Sequence, residues 1–244
     1  QTYKSYKQQT NMSYKNVLVI GASRGIGLEW AKQLSQKTSA NLFLTCWQNN
    51  EHLENLTKSS PNIKLIENID VANDSMVKNL QNHEILKNVD QLDLCIHNSG
   101  IMQPDNISDF NLEQHKHIYD VNALGPLRTI QAIEPKLEKN SKFIIMSAIL
   151  GSIETANNFY PGVYGYKMSK AAVNMAGKTL AKDLRKKKVV VGMLHPGYVA
   201  TDLNKFKGMM STEKSVEKML KLVEKMDMKA SGSFLDYSGK TIPL

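Results

Sequence analysis

Seven short apolar runs recur along this chain with helical stretches between them, in the order strand, helix, strand throughout. A strand covered on both faces reads as a continuous apolar run, and parallel strands need a crossover, usually a helix, to return the chain. The pattern therefore constrains the fold to an α/β domain, a doubly wound seven-stranded parallel sheet with helices on both faces. Predicted strands cover residues 16–20, 41–46, 63–66, 92–97, 142–147, 189–194 and 233–235. Predicted helices cover 26–36, 75–86, 112–137, 169–185 and 212–225. In the last of these, Val216, Met219, Leu220 and Val223 recur at helical spacing. In such a sheet the ligand lies beyond the carboxyl ends of the strands.

No linker, repeat or low-complexity stretch divides the sequence, so residues 14–244 are expected to form one domain. The polar residues 1–13 lack the apolar stretch of a secretory signal and are expected to be a disordered leader. No apolar run approaches the roughly 18 residues of a membrane span, so no membrane partner is expected. Cys46 and Cys95 sit inside apolar runs, cannot form a disulfide framework and show no metal-ligand spacing. A reducing, cytoplasmic compartment and no metal follow as expectations. Lys+Arg number 31 against 23 Asp+Glu, a net charge of +8. The lysines are scattered, and the one dense cluster, Arg185-Lys186-Lys187-Lys188, falls at a predicted helix end, where cations complement the helix dipole. Without a basic stripe, no nucleic-acid partner is expected.

Two motifs carry chemistry. Val17-Leu18-Val19-Ile20-Gly21-Ala22-Ser23-Arg24-Gly25-Ile26-Gly27 runs an apolar strand into a glycine turn that opens a helix. Glycines there let the backbone turn sharply and approach a pyrophosphate, while free N–H groups of the helix start face the anion. Further on, Tyr166-Lys167-Met168-Ser169-Lys170 places a phenol and an ammonium at i and i+4, on one helix face. A lysine beside a tyrosine favours the phenolate and brings its proton exchange nearer neutral pH, which suits general acid work on a carbonyl.

Together and in this order, the motifs resemble the short-chain dehydrogenase/reductase family, a Rossmann-type fold, from about Lys15 to the C-terminus. Asp70-Val71, His97-Asn98-Ser99-Gly100, Asn122, Ser147 and Pro196-Gly197-Tyr198-Val199-Ala200-Thr201 are similar to further family landmarks. Finer resemblance is to the C-factor and sniffer-type carbonyl reductase branch. It rests on Leu150-Gly151-Ser152-Ile153, the stretch from Tyr164 to Asn174, His195-Pro196-Gly197 and the ending Ser231 to Tyr237. The 19 residues from Ser147 to Tyr166, more than is usual in the family, also match that branch.

The resemblance implies hydride transfer between a nicotinamide cofactor and a carbonyl or alcohol carbon, with Tyr166 as general acid or base. Lys170 would hold the nicotinamide ribose, Ser147 would orient the substrate oxygen, and Asn122 would help a water relay protons. Asn122 has a reason of its own. Pro126 lacks an N–H, so the carbonyl four residues earlier, that of Asn122, loses its helical partner. The serine is a departure: counting back three from Gly151, the family's reactive position is Ala148. Either Ser147 reaches the substrate by a small shift, or Ser152 substitutes, or no serine serves.

For the cofactor, Gly21, Ser23, Arg24, Gly25, Ile26 and Gly27 would form the phosphate turn. Asp70 and Val71 would meet the adenine, and Asn98, Ser99 and Gly100 the adenosine side. Tyr166, Lys170, Pro196, Gly197, Val199 and Thr201 would meet the nicotinamide end. The second strand ends in Leu44-Thr45-Cys46-Trp47-Gln48 with no acid for the ribose hydroxyls, while Arg24 suits a 2′-phosphate, so NADP is favoured over NAD. Trp47 stands where this branch commonly has a second arginine, and would flank the adenine. A substrate lid is expected around 202–228, with Leu203, Phe206, Met209 and Met210, joined by the insertion 153–163. The partner would be a small carbonyl or alcohol, and the helices at 112–137 and 169–185 resemble those that pair subunits into a homodimer or homotetramer. The competing reading is a C-factor-like signalling or regulatory dinucleotide-binding protein with little turnover.

Overall fold

The computed structural model describes residues 13–244, so the expected leader lies, Ser13 excepted, outside the described residues. Its strands are β1 (Asn16–Ile20), β2 (Asn41–Thr45), β3 (Ile63–Ile66), β4 (Leu94–His97), β5 (Lys142–Met146), β6 (Val190–His195) and β7 (Phe234–Asp236). All pair in parallel, in the order β3-β2-β1-β4-β5-β6-β7. Winding reverses between β1 and β4, which opens a crevice beyond their carboxyl ends.

The strands alternate between two cores. Leu18, Ile20, Phe43, Cys95, Phe143 and Val191 face one side of the sheet; Val17, Val19, Leu42, Leu44, Ile96 and Ile144 face the other. Because each face is sealed, both sets are apolar, which explains the uninterrupted runs in the sequence. Helices α1 (Gly25–Lys37), α2 (Glu51–Lys58) and α8 (Thr212–Lys225) lie on the second face. Helices α3 (Ser75–Asn82), α4 (Glu84–Lys87), α6 (Gly125–Ile133) and α7 (Tyr164–Asp183) lie on the first, with α5 (Leu112–Tyr119) packed against α7.

Four departures from the predicted helices stand out, the first being a break at His83, in non-helical backbone, that splits 75–86 into α3 and α4. Helix α2 has no counterpart in the apolar pattern, because Leu53 is its one buried side chain. Its signal is in the caps: Asn50 Oδ1 accepts from Leu53 N, acids occupy the first turn and Lys58 the last. Helix α7 starts at Tyr164, five residues before the predicted start, so Tyr166 and Lys170 both ride on it. The helix expected over 112–137 is interrupted by a π-helical turn, Asp120–Leu124, where Gly125 N–H donates to Asp120 O five residues back. Pro126 removes one donor, and the chain accommodates this by widening one turn that contains Asn122.

Candidate active site

The crevice at the β1/β4 reversal is a cavity of about 460 Å³, in the size range of cofactor and ligand sites. Its first wall is the glycine turn. Gly21 has φ +78°, and a Cβ on Gly27 would stand 2.0 Å from Gly21 O and 2.5 Å from Asn98 Nδ2, so no side chain fits there. Thr45 Oγ1 accepts from Gly21 N, and Asn50 Nδ2 donates to Ser23 O, fixing the turn from β2 and its loop. At the turn's end, α1 begins with neither a side-chain cap nor an acid in its first turn. Its N-terminal N–H groups therefore offer an anion site at the cavity wall, and the residues present fit a dinucleotide pyrophosphate.

Of the residues singled out in the sequence, Gly21, Ser23, Arg24, Gly25, Ile26, Trp47, Asp70, Val71, Asn98, Ser99, Gly100, Ser147, Tyr166, Lys170, Pro196 and Thr201 line this one cavity. Gly27, Asn122, Gly197 and Val199 do not; they stand behind the wall. Gly197 (φ +90°) packs under the Tyr237 ring and Val199 is buried beside Met210. Ile69, Ile101, His117, Val121, Met146 and Asp202 line the cavity without having been singled out. His117 and Val121 are four residues apart and so share one helix face with each other, but neither shares a face with Asn122, so no spacing from a motif residue marked them.

At the far end, α7 carries the Tyr166–Lys170 pair. Lys170 Nζ is 5.6 Å from the Tyr166 ring centroid and donates to Met146 O at 2.9 Å. Burial lowers the ammonium to about 8. Burial, reinforced by the neighbouring Tyr160, raises the Tyr166 phenol above its ordinary value. This corrects the expectation of a phenol made more acidic by Lys170: here loss of water outweighs the lysine, which is directed at a carbonyl. The Tyr166 phenol is thus neutral across the neutral range.

Asn122 braces the site from the π turn. Its side chain accepts from Ile101 N and donates to Ile101 O and to Ser169 Oγ, at 2.9 to 3.0 Å. Asn122 Oδ1 and Lys170 Nζ both approach a Cβ position on Gly100, at 3.4 and 3.5 Å. Of the two candidate serines, Ser147 lines the cavity and donates to Asn174 Oδ1 at 2.6 Å. Ser152 is buried outside it, its hydroxyl accepting from Thr155 N. Ala148 packs against Tyr166 and Val163.

The start of α7 is capped from far away in sequence. Val163, at φ +50°, offers no cap; instead Asp105 accepts from Tyr164 N at 2.7 Å and Gly165 N at 3.2 Å, and pairs with His115 Nε2 at 2.7 Å. Its side chain is 2% exposed, and these donors hold the carboxyl below the usual range despite burial. Sequence spacing alone carries no sign of this contact.

Within the expected lid, α8 buries Val216, Met219, Leu220 and Val223 in the core, while Leu203, Phe206 and Met209 are exposed along the preceding loop. Asp202 forms an ion pair with Arg24 at the cavity rim. Among the described residues no helix is long and apolar enough to cross a membrane.

Residues 15–212 match the family model described as short chain dehydrogenase. The chain is 32% identical over 227 residues to a 1-hydroxy-2-glutathionyl-2-methyl-3-butene dehydrogenase of Rhodococcus sp. (strain AD45), covering 91% of this chain and 96% of that one. It superposes on the carbonyl reductase Sniffer of D. melanogaster with a TM-score of 0.87 at 28% identity, covering 94% and 99% of the two chains. An NADPH-bound carbonyl reductase from chicken fatty liver gives 0.86 at 29% identity with the same coverage. The glycine turn, the Tyr166–Lys170 face and these matches lead to one conclusion: the chain is an oxidoreductase of the short-chain dehydrogenase/reductase family.

Proposed function

We propose that this protein is a carbonyl reductase-like enzyme that exchanges hydride between NADP(H) and a small carbonyl or alcohol. The observation that carries the reading is the meeting, in one cavity, of an uncapped helix start with Tyr166, Lys170 and Ser147. A bound nicotinamide supplies or accepts the hydride. Tyr166, neutral through burial, gives its proton to the substrate oxygen, and Ser147 orients that oxygen. Lys170, charged below about pH 8, holds the ribose end, and its approach with Asn122 to Gly100 supports a path for returning the proton.

Arg24 at the cavity rim and the lack of an acid after β2 support NADP over NAD, with Trp47 flanking the adenine beside Asp70 and Val71. Asn98, Ser99 and Gly100 serve the adenosine side; Pro196 and Thr201 serve the nicotinamide end, with Gly197 and Val199 shaping it from behind. Exposed Leu203, Phe206 and Met209 suit an adaptable apolar lid. Exposed Leu112 on α5 and Met168 and Met175 on α7 support a homodimer or homotetramer built on these helices. Two free, buried cysteines fit a cytoplasmic, reducing compartment.

The test is a fluorescence titration with NADPH and NADH, followed by a panel of aldehydes and diketones. Tighter NADPH binding and carbonyl-dependent oxidation are expected, with Tyr166→Phe cutting turnover at least about 100-fold while still binding NADPH. Binding of neither cofactor refutes the site; binding without any turnover refutes the reductase.

A further inference from the structure

The basic residue best placed for a 2′-phosphate already has a partner. Arg24 precedes the first residue of α1, and its guanidinium forms an ion pair with the carboxylate of Asp202, which follows Thr201 beyond β6. The two side chains are 68% and 36% exposed, so the pair lies at the cavity rim and water reaches both groups. The contact is held by structure on each side. Asn50 fixes the glycine turn through Ser23 O. Asn204 Oδ1 accepts from Thr201 N across the short turn Asp202–Asn204, and Asn204 Nδ2 donates back to Val199 O. A Cβ on Gly25 would stand 3.5 Å from Thr201 Cγ2 and 3.7 Å from Asp202 Oδ1, so the two segments lie no more than one side-chain carbon apart.

We infer that Asp202 is a specificity-determining residue: an internal carboxylate that competes with the 2′-phosphate for Arg24 and so sets how strongly the protein prefers NADPH to NADH. The inference rests on the reading of Arg24 as the phosphate's partner. One guanidinium has a single planar fork for bidentate binding, so a phosphate that takes it must displace the carboxylate or accept a poorer geometry. NADH carries no such group and leaves the pair intact. The carboxylate therefore weakens NADPH more than NADH. An exposed pair of this kind is modest in strength, which sets the penalty at about two- to fivefold in affinity.

The experiment measures equilibrium dissociation constants for NADPH and NADH by fluorescence in the protein, and takes their ratio within each variant so that general damage cancels. Asp202→Asn should raise the preference for NADPH by about two- to fivefold, whereas Asp202→Glu, which keeps the charge, should stay near wild type. Arg24→Ala should abolish most of the preference, and adding Asp202→Asn to it should then change nothing further. If Asp202→Asn leaves or lowers the ratio while Arg24→Ala collapses it, the competition is overturned and the phosphate site stands. If the Asp202→Asn gain persists in full without Arg24, the carboxylate acts by direct repulsion and the inference fails. If Arg24→Ala leaves the ratio untouched, the phosphate reading of Arg24 fails as well.

Discussion

Replacing Lys170 by methionine should make the protein more stable while destroying its chemistry. The ammonium is buried, and burial brings it from 10.5 to about 8, so keeping it charged at pH 7 costs about 3 kcal/mol relative to water. Methionine fills a similar volume without charge but leaves Met146 O without its donor, which costs about 1 kcal/mol. The net gain at pH 7 is about 2 kcal/mol, or roughly 4–8 °C in Tm for a chain of this size. The pH dependence carries the sign. Between about 8 and 10.5 the unfolded wild type holds the Lys170 proton that the folded protein has lost, so wild-type stability climbs with pH, by up to about 1.4 kcal/mol per pH unit. Lys170→Met lacks that climb, and its advantage should shrink across this window and be gone by about pH 10.5. Thermal melts of both proteins at pH 7, 8, 9 and 10 provide the assay, with carbonyl-dependent NADPH oxidation measured alongside. A Lys170→Met protein that melts below wild type at pH 7, or a difference that does not change with pH, would refute the reasoning.

Other outcomes follow from the same geometry. Ser147→Ala should lower the rate of carbonyl reduction in steady-state assays, whereas Ser152→Ala, altering a buried hydroxyl outside the cavity, should change it less than about twofold. Gly27→Ala places a Cβ 2.0 Å from Gly21 O, so the turn must move, and NADPH titration should show binding lost in a protein destabilised by about 1–3 kcal/mol. Asp105→Ala removes the cap from α7 and leaves His115 without its partner; denaturant unfolding should show a loss of about 1–2 kcal/mol, with Asp105→Asn recovering part of it.

What could be read from the sequence was whatever local chain chemistry writes down. The seven strands are legible because a sheet sealed on both faces leaves each of them apolar along its whole length. The glycine turn is legible because strand, turn and helix follow one another without a break. The Tyr166–Lys170 pair is legible because i and i+4 share a face on any helix. Helix α2 escaped because it buries only Leu53, so no periodic stripe marks it, although Asn50 and its acids do. At Pro126 the missing N–H was foreseeable but the chain's response was not: either a break or a widened turn relieves it, and packing around Asn122 decides. The ion pair between Arg24 and Asp202 and the reach of Asp105 to α7 join segments brought together by the winding of the sheet, and no local spacing encodes them.

The cap on α7 also says something about when the protein becomes competent. Asp105 is 59 residues ahead of Tyr164, in the segment that follows β4, and its partner His115 belongs to another helix. A helix without its own capping residue starts poorly, since the first turn fixes several residues for little return. Contacts between distant segments form after loop closure, which makes them late events. The first turn of α7, and with it the placement of Tyr166, is therefore not set until the segment after β4 has docked against it. During refolding, helical signal should therefore return no later than carbonyl-dependent NADPH oxidation, because most of α7 can form before a remote carboxylate fixes its first turn and places Tyr166.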